Sequence, residues 1–285
     1  MALVVNTNIA SLNAQRNLSN SNGALALSLQ RLSSGLRVNS AKDDAAGLAV
    51  AESITSGVRG NTQAIRNAND GISVGQTAEG ALGQIANNLQ RVREISVQAA
   101  NGSISDTNRS QLQKEVDQLT QEISRIVQTT EFNGTKLLSG AATITFQIGY
   151  SGAADNQVAM STTNLAAAGT AGLNAYSASL TATGTINITT SGNASAALGS
   201  LDYDIAQVAN LRSTFGAVQN RFEAVVSNLQ NYVENLTASR SRIMDTDFAA
   251  ESAQLTRNQI LQQAGTAILA QANTIPQSAL SLLQG

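Results

Sequence analysis

The chain has 285 residues, 42% of them hydrophobic, but it contains no cysteine, histidine or tryptophan and only one proline. Without cysteine or histidine, the usual zinc sites, thiolate nucleophiles and histidine acid–base systems are excluded, and we expect no metal, no cofactor and no catalytic residues. A formal charge of −2 with 13% charged residues provides no basic surface, so no nucleic-acid partner is expected.

No segment has the pattern of a membrane span or of a cleavable signal. No apolar run approaches the roughly 18 residues that a transmembrane helix needs, so no membrane partner is expected. The N-terminal residues, MALVVNTNIASLNAQRN, lack the basic start and the apolar stretch of a secretory signal. If the protein is exported, the sequence predicts another route.

The first helical segment carries leucines at coiled-coil spacing. Five of its leucines are separated by seven, four, three and four residues, which predicts an apolar stripe along one helix face. These residues are Leu18, Leu25, Leu29, Leu32 and Leu36.

A second helical segment runs from about residue 44 to residue 100. Val58, Ile65 and Ile72 repeat every seven residues, and an apolar stripe continues from Leu82. Six glycines between residues 57 and 83 argue against one helix, because each costs up to about 1 kcal/mol relative to alanine. The residues alone predict a break near Gly71–Gly75. Unbroken, the helix would be about 85 Å long, which exceeds the roughly 50 Å of a compact chain of this size and predicts a rod.

Three further helices are predicted beyond Asn101–Gly102. The third covers the stripe from 112 to 126, after cap candidates at 103–106, and ends before Asn133–Gly134. The fourth carries a long stripe from 205 to 236. The fifth follows a capping cluster at 245–247, and Pro276 should kink or restart it. Its apolar residues repeat every seven positions: Leu261, Ile268, Ile275 and Leu282.

Residues 141–196 are rich in alanine, glycine, serine, threonine and asparagine. Residues 143–150, TITFQIGY, alternate with period two and predict a strand that pairs with residues 156–161 in a hairpin. Residues 185–190, TINITT, are a second strand candidate. The rest is a low-complexity insert that could bury little apolar surface alone.

Several long strings resemble the bacterial flagellins. At the N-terminal side these are LQRLSSGLRVNSAKDDAAGLAVAE from Leu29, NANDGISVGQTAEGAL from Asn67, NNLQRVREISVQAANG from Asn87 and TTEFNGTKLL from Thr129. At the C-terminal side they are SRIMDTDFAAESAQLTRNQILQQAGTAILAQAN from Ser241 and PQSALSLL from Pro276. The resemblance covers roughly residues 1–140 and 200–285, and the outer domains of long flagellins are almost absent.

The resemblance implies a mainly α fold, a long antiparallel helical rod with a small β-hairpin region. Residues 1–43 and 244–285 would form a terminal coiled-coil, inner-tube domain. Residues 44–140 and 197–243 would form a helical rod domain in which the second helix is continuous. Residues 141–196 would form the hairpin and a short variable surface insert.

The function implied by the resemblance is that of a structural subunit that assembles into the flagellar filament outside the cell. Self-assembly would use the terminal stripes, with the C-terminal stripe against the N-terminal helix and neighbouring subunits. The implied interface residues are Leu25, Leu29, Leu32, Leu36, Leu261, Ile268, Ile275 and Leu282. Further implied partners are an export chaperone, the secretion apparatus, and the filament cap and hook-junction proteins.

Host recognition is a second implication of the resemblance. The string QRVREISVQ matches the motif that Toll-like receptor 5 contacts, with Gln90, Arg91, Ile95 and Glu115 on recognition positions, although Leu119 replaces a basic residue of the family. Inflammasome sensors would read Leu280, Leu282 and Leu283, whose simpler role is packing.

Other interpretations remain open at this point. The stripes could form only an intramolecular helical core. A hook–filament junction protein would share the helical ends. A carboxylate-based cell-wall hydrolase on the same scaffold would need a folded insert larger than residues 141–196.

Overall fold

The computed structural model describes residues 7–167 and 172–284, and the side chains of residues 7–167 and 172–274. This part of the chain is mainly α-helical, as predicted. The helices are α1 (Ile9–Ser34), α2 (Ala45–Ala100), α3 (Asp106–Thr129), α4 (Ser191–Met244) and α5 (Phe248–Gln284). The strands are β1 (Glu131–Phe132), β2 (Thr135–Lys136), β3 (Thr143–Gln147) and β4 (Gln157–Ser161). Contacts group the chain into two units, Met1–Val58 with Glu234–Gly285 and Arg59–Val233.

Helix α2 runs unbroken through all its glycines, so the break predicted near Gly71–Gly75 is wrong and the continuous helix implied by the resemblance is confirmed. Its buried positions alternate by three and four residues, and small residues fill the first half of that seam. These are Gly57, Asn61, Ala64, Ala68, Gly71, Gly75 and Ala78. A Cβ atom on Gly71 would lie 2.7 Å from Cζ of Phe222, so glycine here admits a large neighbouring side chain.

The main core lies within residues 59–233. The predicted stripe of α3 packs in it, as does the α4 stripe as far as Phe222, including Val116, Ile123 and Phe215. Phe146 of β3 meets Phe222 of α4 edge to face, with ring centroids 5.3 Å apart and an interplanar angle of 85°. This is a favoured aromatic geometry, and it ties the hairpin to the helices.

Strands β3 and β4 pair antiparallel from Thr143 opposite Ser161 to Gln147 opposite Gln157, which confirms the predicted hairpin. A second hairpin, β1–β2, turns at Asn133 and Gly134, whose φ angles are 48° and 77°. Two successive positive φ angles are typical of Asn-Gly in a two-residue hairpin turn. In the sequence, this pair predicts only the end of a helix.

Residues 185–190 form no strand, so the second strand candidate is wrong. Their alternation is nevertheless real, because Ile186 and Ile188 are buried at 4% and 0% exposure. The partner of this segment is a side chain of α3. Gln113 donates to the Ile186 carbonyl (2.8 Å) and accepts from the Ile188 N–H (2.7 Å), which replaces the hydrogen bonds of a neighbouring strand.

The insert is also anchored to α4 through Asp204, which is fully buried. Its carboxylate accepts hydrogen bonds from the backbone N–H groups of Asn174 and Ala175, each at 2.8 Å. Burial raises the pKa of Asp204, and these hydrogen bonds partly oppose that shift. The insert therefore buries apolar surface by packing on the helices rather than by folding alone.

Side-chain caps begin two of the helices as predicted. The Ser105 side chain accepts from the Asn108 N–H at the start of α3. Asp247 accepts from the N–H groups of Ala249 and Ala250 at the start of α5. Helix α5 continues through Pro276 to Gln284, so no restart occurs there.

Candidate assembly and recognition surfaces

Helices α1 and α5 pack antiparallel within the unit of residues 1–58 and 234–285. Their direction follows from contacts at both ends, since Asn8 bonds to the Ala272 carbonyl while Arg31 pairs with Glu251. We call the residues that occupy the facing, least exposed positions the α1/α5 seam, and they alternate by three and four residues. They are Ser11, Ala14, Leu18, Ser21, Leu25, Ser28 and Leu32 on α1, and Glu251, Leu255, Asn258, Gln262, Gly265, Leu269 and Ala272 on α5.

The α1/α5 seam alternates leucines with small or polar residues. Asn258 is 3% exposed, and its amide lies 3.5 Å from the Ser28 hydroxyl. The Ser11 hydroxyl donates to Asn273 Oδ1 at 2.8 Å. A buried polar residue at a seam position, such as Asn258, helps to fix the register of a coiled coil, but it buries less apolar area than a leucine would.

The four leucines predicted on α1 do not share one environment. Leu25 and Leu32 are half-buried in the seam, and Leu36 is half-buried after the end of α1, where its backbone bridges to Asp245. Leu29 lies outside the seam and is 52% exposed.

On α5, the predicted stripe lies outside the seam as well. Leu261 is 50% exposed and Ile268 is 60% exposed, whereas the next residues, Gln262 and Leu269, face α1. Consecutive residues of a helix point about 100° apart, so a residue one position before the seam faces away from α1. The expectation that this stripe packs on the N-terminal helix is therefore wrong within one subunit. The side chains of the other C-terminal residues predicted as contacts lie outside the described residues: Ile275, Leu280, Leu282 and Leu283.

The exposed apolar residues border both flanks of the helix pair. With Leu25 and Leu269 as heptad position a, Leu29 is at e and Leu12 at b, while Leu261 and Ile268 are at g. In an antiparallel pair the e positions of both helices border one flank and the g positions the other. Leu12 is 53% exposed. Leu12 was not among the predicted interface residues, and neither were three further exposed residues: Ile9, Phe248 and Ile260.

The predicted receptor motif is mostly a polar, exposed helix face. Arg91 donates to Glu115 across α2 and α3 at 2.9 Å and to Glu94 at 3.1 Å. The hydrogen bond from Arg91 to Glu115, and to a smaller extent the one to Glu94, raises the pKa of Arg91 above its ordinary value. Gln90 is exposed beside it. Ile95 is only 1% exposed and belongs to the core, so its predicted receptor contact is incompatible with the folded unit.

The described residues hold no group of three or more acidic, histidine or cysteine side chains that could bind a metal ion. Across the helices that the structure describes, no stretch is long and apolar enough for a membrane crossing.

Comparisons with known proteins match both ends of the chain. Residues 5–143 match the bacterial flagellin N-terminal helical region, and residues 198–283 match the C-terminal helical region. A flagellin of Xenorhabdus nematophila is 46% identical over the whole of both chains. Polar flagellin F of Vibrio parahaemolyticus is 38% identical over 99% of this chain and its own full length.

A solved structure from Vibrio parahaemolyticus, assigned to a flagellar hook-associated protein, covers 71% of this chain and all of its own with a TM-score of 0.57. At 14% identity it shows a likeness of fold alone. The family matches and the full-length relatives decide the family. The chain belongs to the bacterial flagellins, the structural subunits of the flagellar filament.

Proposed function

We propose that the subunits of the filament join through the apolar side chains that the α1/α5 pair leaves exposed. One observation carries this proposal: Leu29, Leu261 and Ile268 remain 50% to 60% exposed after the two helices have packed. Large exposed apolar residues grouped on one small unit are typical of a protein interface. The partner is further copies of this chain, as in any filament of one subunit type.

The distribution of these residues favours an open polymer over a closed dimer. Leu29 and Leu12 border one flank of the pair, and Leu261 and Ile268 border the other. A flank that meets a different flank of the next copy forms a heterologous contact, which extends into a helical filament when the rotation does not close. Ile275 and Leu282 continue the Leu261 spacing toward the C-terminus and stay predicted contacts.

The energy available to each subunit is moderate. Full burial of a leucine or isoleucine stabilises by about 1.5 to 3 kcal/mol, so completing the burial of three half-exposed residues contributes roughly 2 to 5 kcal/mol. That amount offsets only part of the cost of association. The other exposed residues, with contacts elsewhere in the chain, are needed for a stable filament.

Substituting adjacent residues of α5 separates assembly from folding. Ile268→Asp should leave the helix pair intact and abolish filaments, because each subunit then buries an unpaired carboxylate in the interface. Leu269→Asp should instead lower the unfolding temperature of the α1/α5 pair, since Leu269 occupies the seam. Electron microscopy after seeding and circular dichroism of the monomer measure the two effects. Gln271→Asp, an exposed polar position, is the control. Normal filaments from Ile268→Asp would refute the assembly role.

We further propose that the protein acts outside the cell as a structural protein without catalysis. Delivery would use an export chaperone and the flagellar secretion apparatus, and assembly would involve the filament cap and hook-junction proteins. A cysteine-free chain with no disulfide to break suits passage as an unfolded polypeptide. Fractionation of a producing strain, with and without its secretion apparatus, tests the export route.

Recognition by Toll-like receptor 5 is proposed for the exposed face formed by Gln90, Arg91 and Glu115. Arg91→Ala should weaken receptor signalling by the monomer, because loss of a charged contact near an interface centre costs about 2 kcal/mol or more. Arg125→Ala, which breaks a comparable exposed ion pair with Glu122, is the control. Identical dose–response curves for wild type and Arg91→Ala would exclude this face.

Recognition of Leu280, Leu282 and Leu283 by inflammasome sensors stays a prediction.

A further inference from the structure

The sequence contains three Asn-Gly pairs, Asn22–Gly23, Asn101–Gly102 and Asn133–Gly134. In such a pair the glycine nitrogen can attack the asparagine side-chain carbon, because glycine has no side chain to hinder the approach. The nitrogen loses its proton as the new N–Cγ bond forms, and the amide nitrogen leaves as ammonia. Water then opens the five-membered imide to aspartate or to isoaspartate.

Two of the three pairs are held in conformations that oppose this ring closure. Asn22 and Gly23 lie inside α1, where the backbone nitrogens belong to the helical ladder, and the Asn22 side chain accepts from Gln262. Asn133 and Gly134 form the tight turn of the β1–β2 hairpin, closed by Phe132 opposite Thr135. Ring closure at either site requires local unfolding of an ordered element.

Asn101 is placed differently, in the exposed turn between α2 and α3. Its Oδ1 accepts from the Ser103 N–H at 3.1 Å, so the side chain is folded forward over the Gly102 peptide. Asn101 and Gly102 are both exposed, and none of the described residues accepts a hydrogen bond from the Gly102 N–H. The reacting nitrogen is therefore accessible to water and to hydroxide.

Arg109 adds a directing group at the same turn. It is 5% exposed, and it donates to the Ala99 carbonyl at 2.7 Å and to the Asn101 carbonyl at 2.9 Å. After the imide forms, this guanidinium polarises the former main-chain carbonyl of residue 101. Water that adds at that carbon breaks its bond to the Gly102 nitrogen, and the new carboxylate is left paired with Arg109. That product is isoaspartate.

We propose that Asn101 is a site of spontaneous deamidation, that it reacts faster than Asn22 and Asn133, and that Arg109 directs the product toward isoaspartate. The reaction needs only water and releases ammonia. It is independent of filament assembly, so its failure would leave the proposed function intact.

The test incubates the purified full-length chain in mildly alkaline buffer and follows each Asn-Gly pair by tryptic peptide mapping. Cleavage after Arg93 and Arg109 isolates residue 101 in one peptide. We expect deamidation at Asn101 to be several-fold faster than at the other two pairs. We also expect an isoaspartate-to-aspartate ratio above that of the free peptide 94–109. Equal rates at the three pairs, or a ratio equal to that of the free peptide, would overturn the proposal.

Three controls test the roles of Gly102, of the folded turn and of Arg109. Gly102→Ala should slow the reaction at residue 101 alone. In concentrated urea the rate differences among the three pairs, and the excess of isoaspartate, should both disappear. Arg109→Lys should move the ratio toward the peptide value while Asn101 remains the fastest site. Persistence of the rate differences in urea would show that sequence, rather than the folded turn, controls the reaction.

Discussion

Gly71 shows how a residue of poor helix propensity can be required within a helix. Glycine costs about 1 kcal/mol relative to alanine in a helix interior. At this position, however, a Cβ atom would lie 2.7 Å from the ring of Phe222, which is fully buried and also packs on Phe146. Packing, rather than propensity, decides which residue is tolerated.

Gly71→Ala should therefore destabilise the protein although it favours the helix. Overpacking a core costs about 1 to 3 kcal/mol. Most of that range exceeds the gain in helix propensity of about 1 kcal/mol. Gly80→Ala is the matched control on the same helix, since a Cβ atom there meets nothing within 4 Å. It should stabilise by up to about 1 kcal/mol. Urea unfolding monitored by circular dichroism measures both, and a Gly71→Ala variant more stable than wild type would contradict this account.

At the scale of elements, α3 organises a segment that has no strand partner. Gln113 is 7% exposed and bonds to Ile186, Ile188 and Asp117. Asp117 in turn accepts from the Gly184 N–H at 2.8 Å. These two side chains satisfy the backbone of residues 184–188 where it crosses the core, and they hold Ile186 and Ile188 in place.

Gln113→Ala should release this segment. It leaves a buried N–H and a buried carbonyl without partners, at about 1 to 3 kcal/mol for each group. We expect a lower unfolding free energy and faster hydrogen exchange at the Ile188 amide. Gln118→Ala, at an exposed position of the same helix, should change neither. Unchanged exchange at Ile188 would show that packing alone holds the segment.

At the scale of the molecule, the core and the proposed assembly surface belong to different units. The large hydrophobic core lies wholly between residues 68 and 222, whereas the exposed apolar residues of the α1/α5 pair lie in the unit that contains both termini. Folding of the 59–233 unit and the proposed contacts of the terminal unit therefore depend on separate sets of residues.

Deleting residues 1–30 together with the last 25 should abolish polymerisation and leave a soluble, helical monomer. The deletion removes most of α1 and most of its partner helix but no residue of the large core. Circular dichroism and sedimentation test the fold, and seeded electron microscopy tests assembly, with the full-length chain as the positive control. Filaments of the truncated chain on the same lattice would place the main interface elsewhere.

The sequence alone determined the approximate positions of the helices, although not the continuity of α2, together with the caps at Ser105 and Asp247, the β3–β4 hairpin and the family. These features depend on local spacing or on long matched strings, which are visible without a tertiary structure. The sequence also identified Leu261 and Ile268, which lie seven residues apart, as members of one apolar stripe. It could not show which partner that stripe has, because a helix face is assigned only by what packs against it.

Only the tertiary structure decided the remaining features. The α1/α5 seam alternates its leucines with small and polar residues, which carry little hydrophobic signal, so spacing alone does not separate the seam leucines from the exposed ones. The glycines of α2 resembled helix breaks until Phe222 was found against Gly71. Ile95 sits in a receptor-like string but is buried by long-range packing. In each case the deciding quantity is the space between elements distant in sequence, which no local pattern encodes.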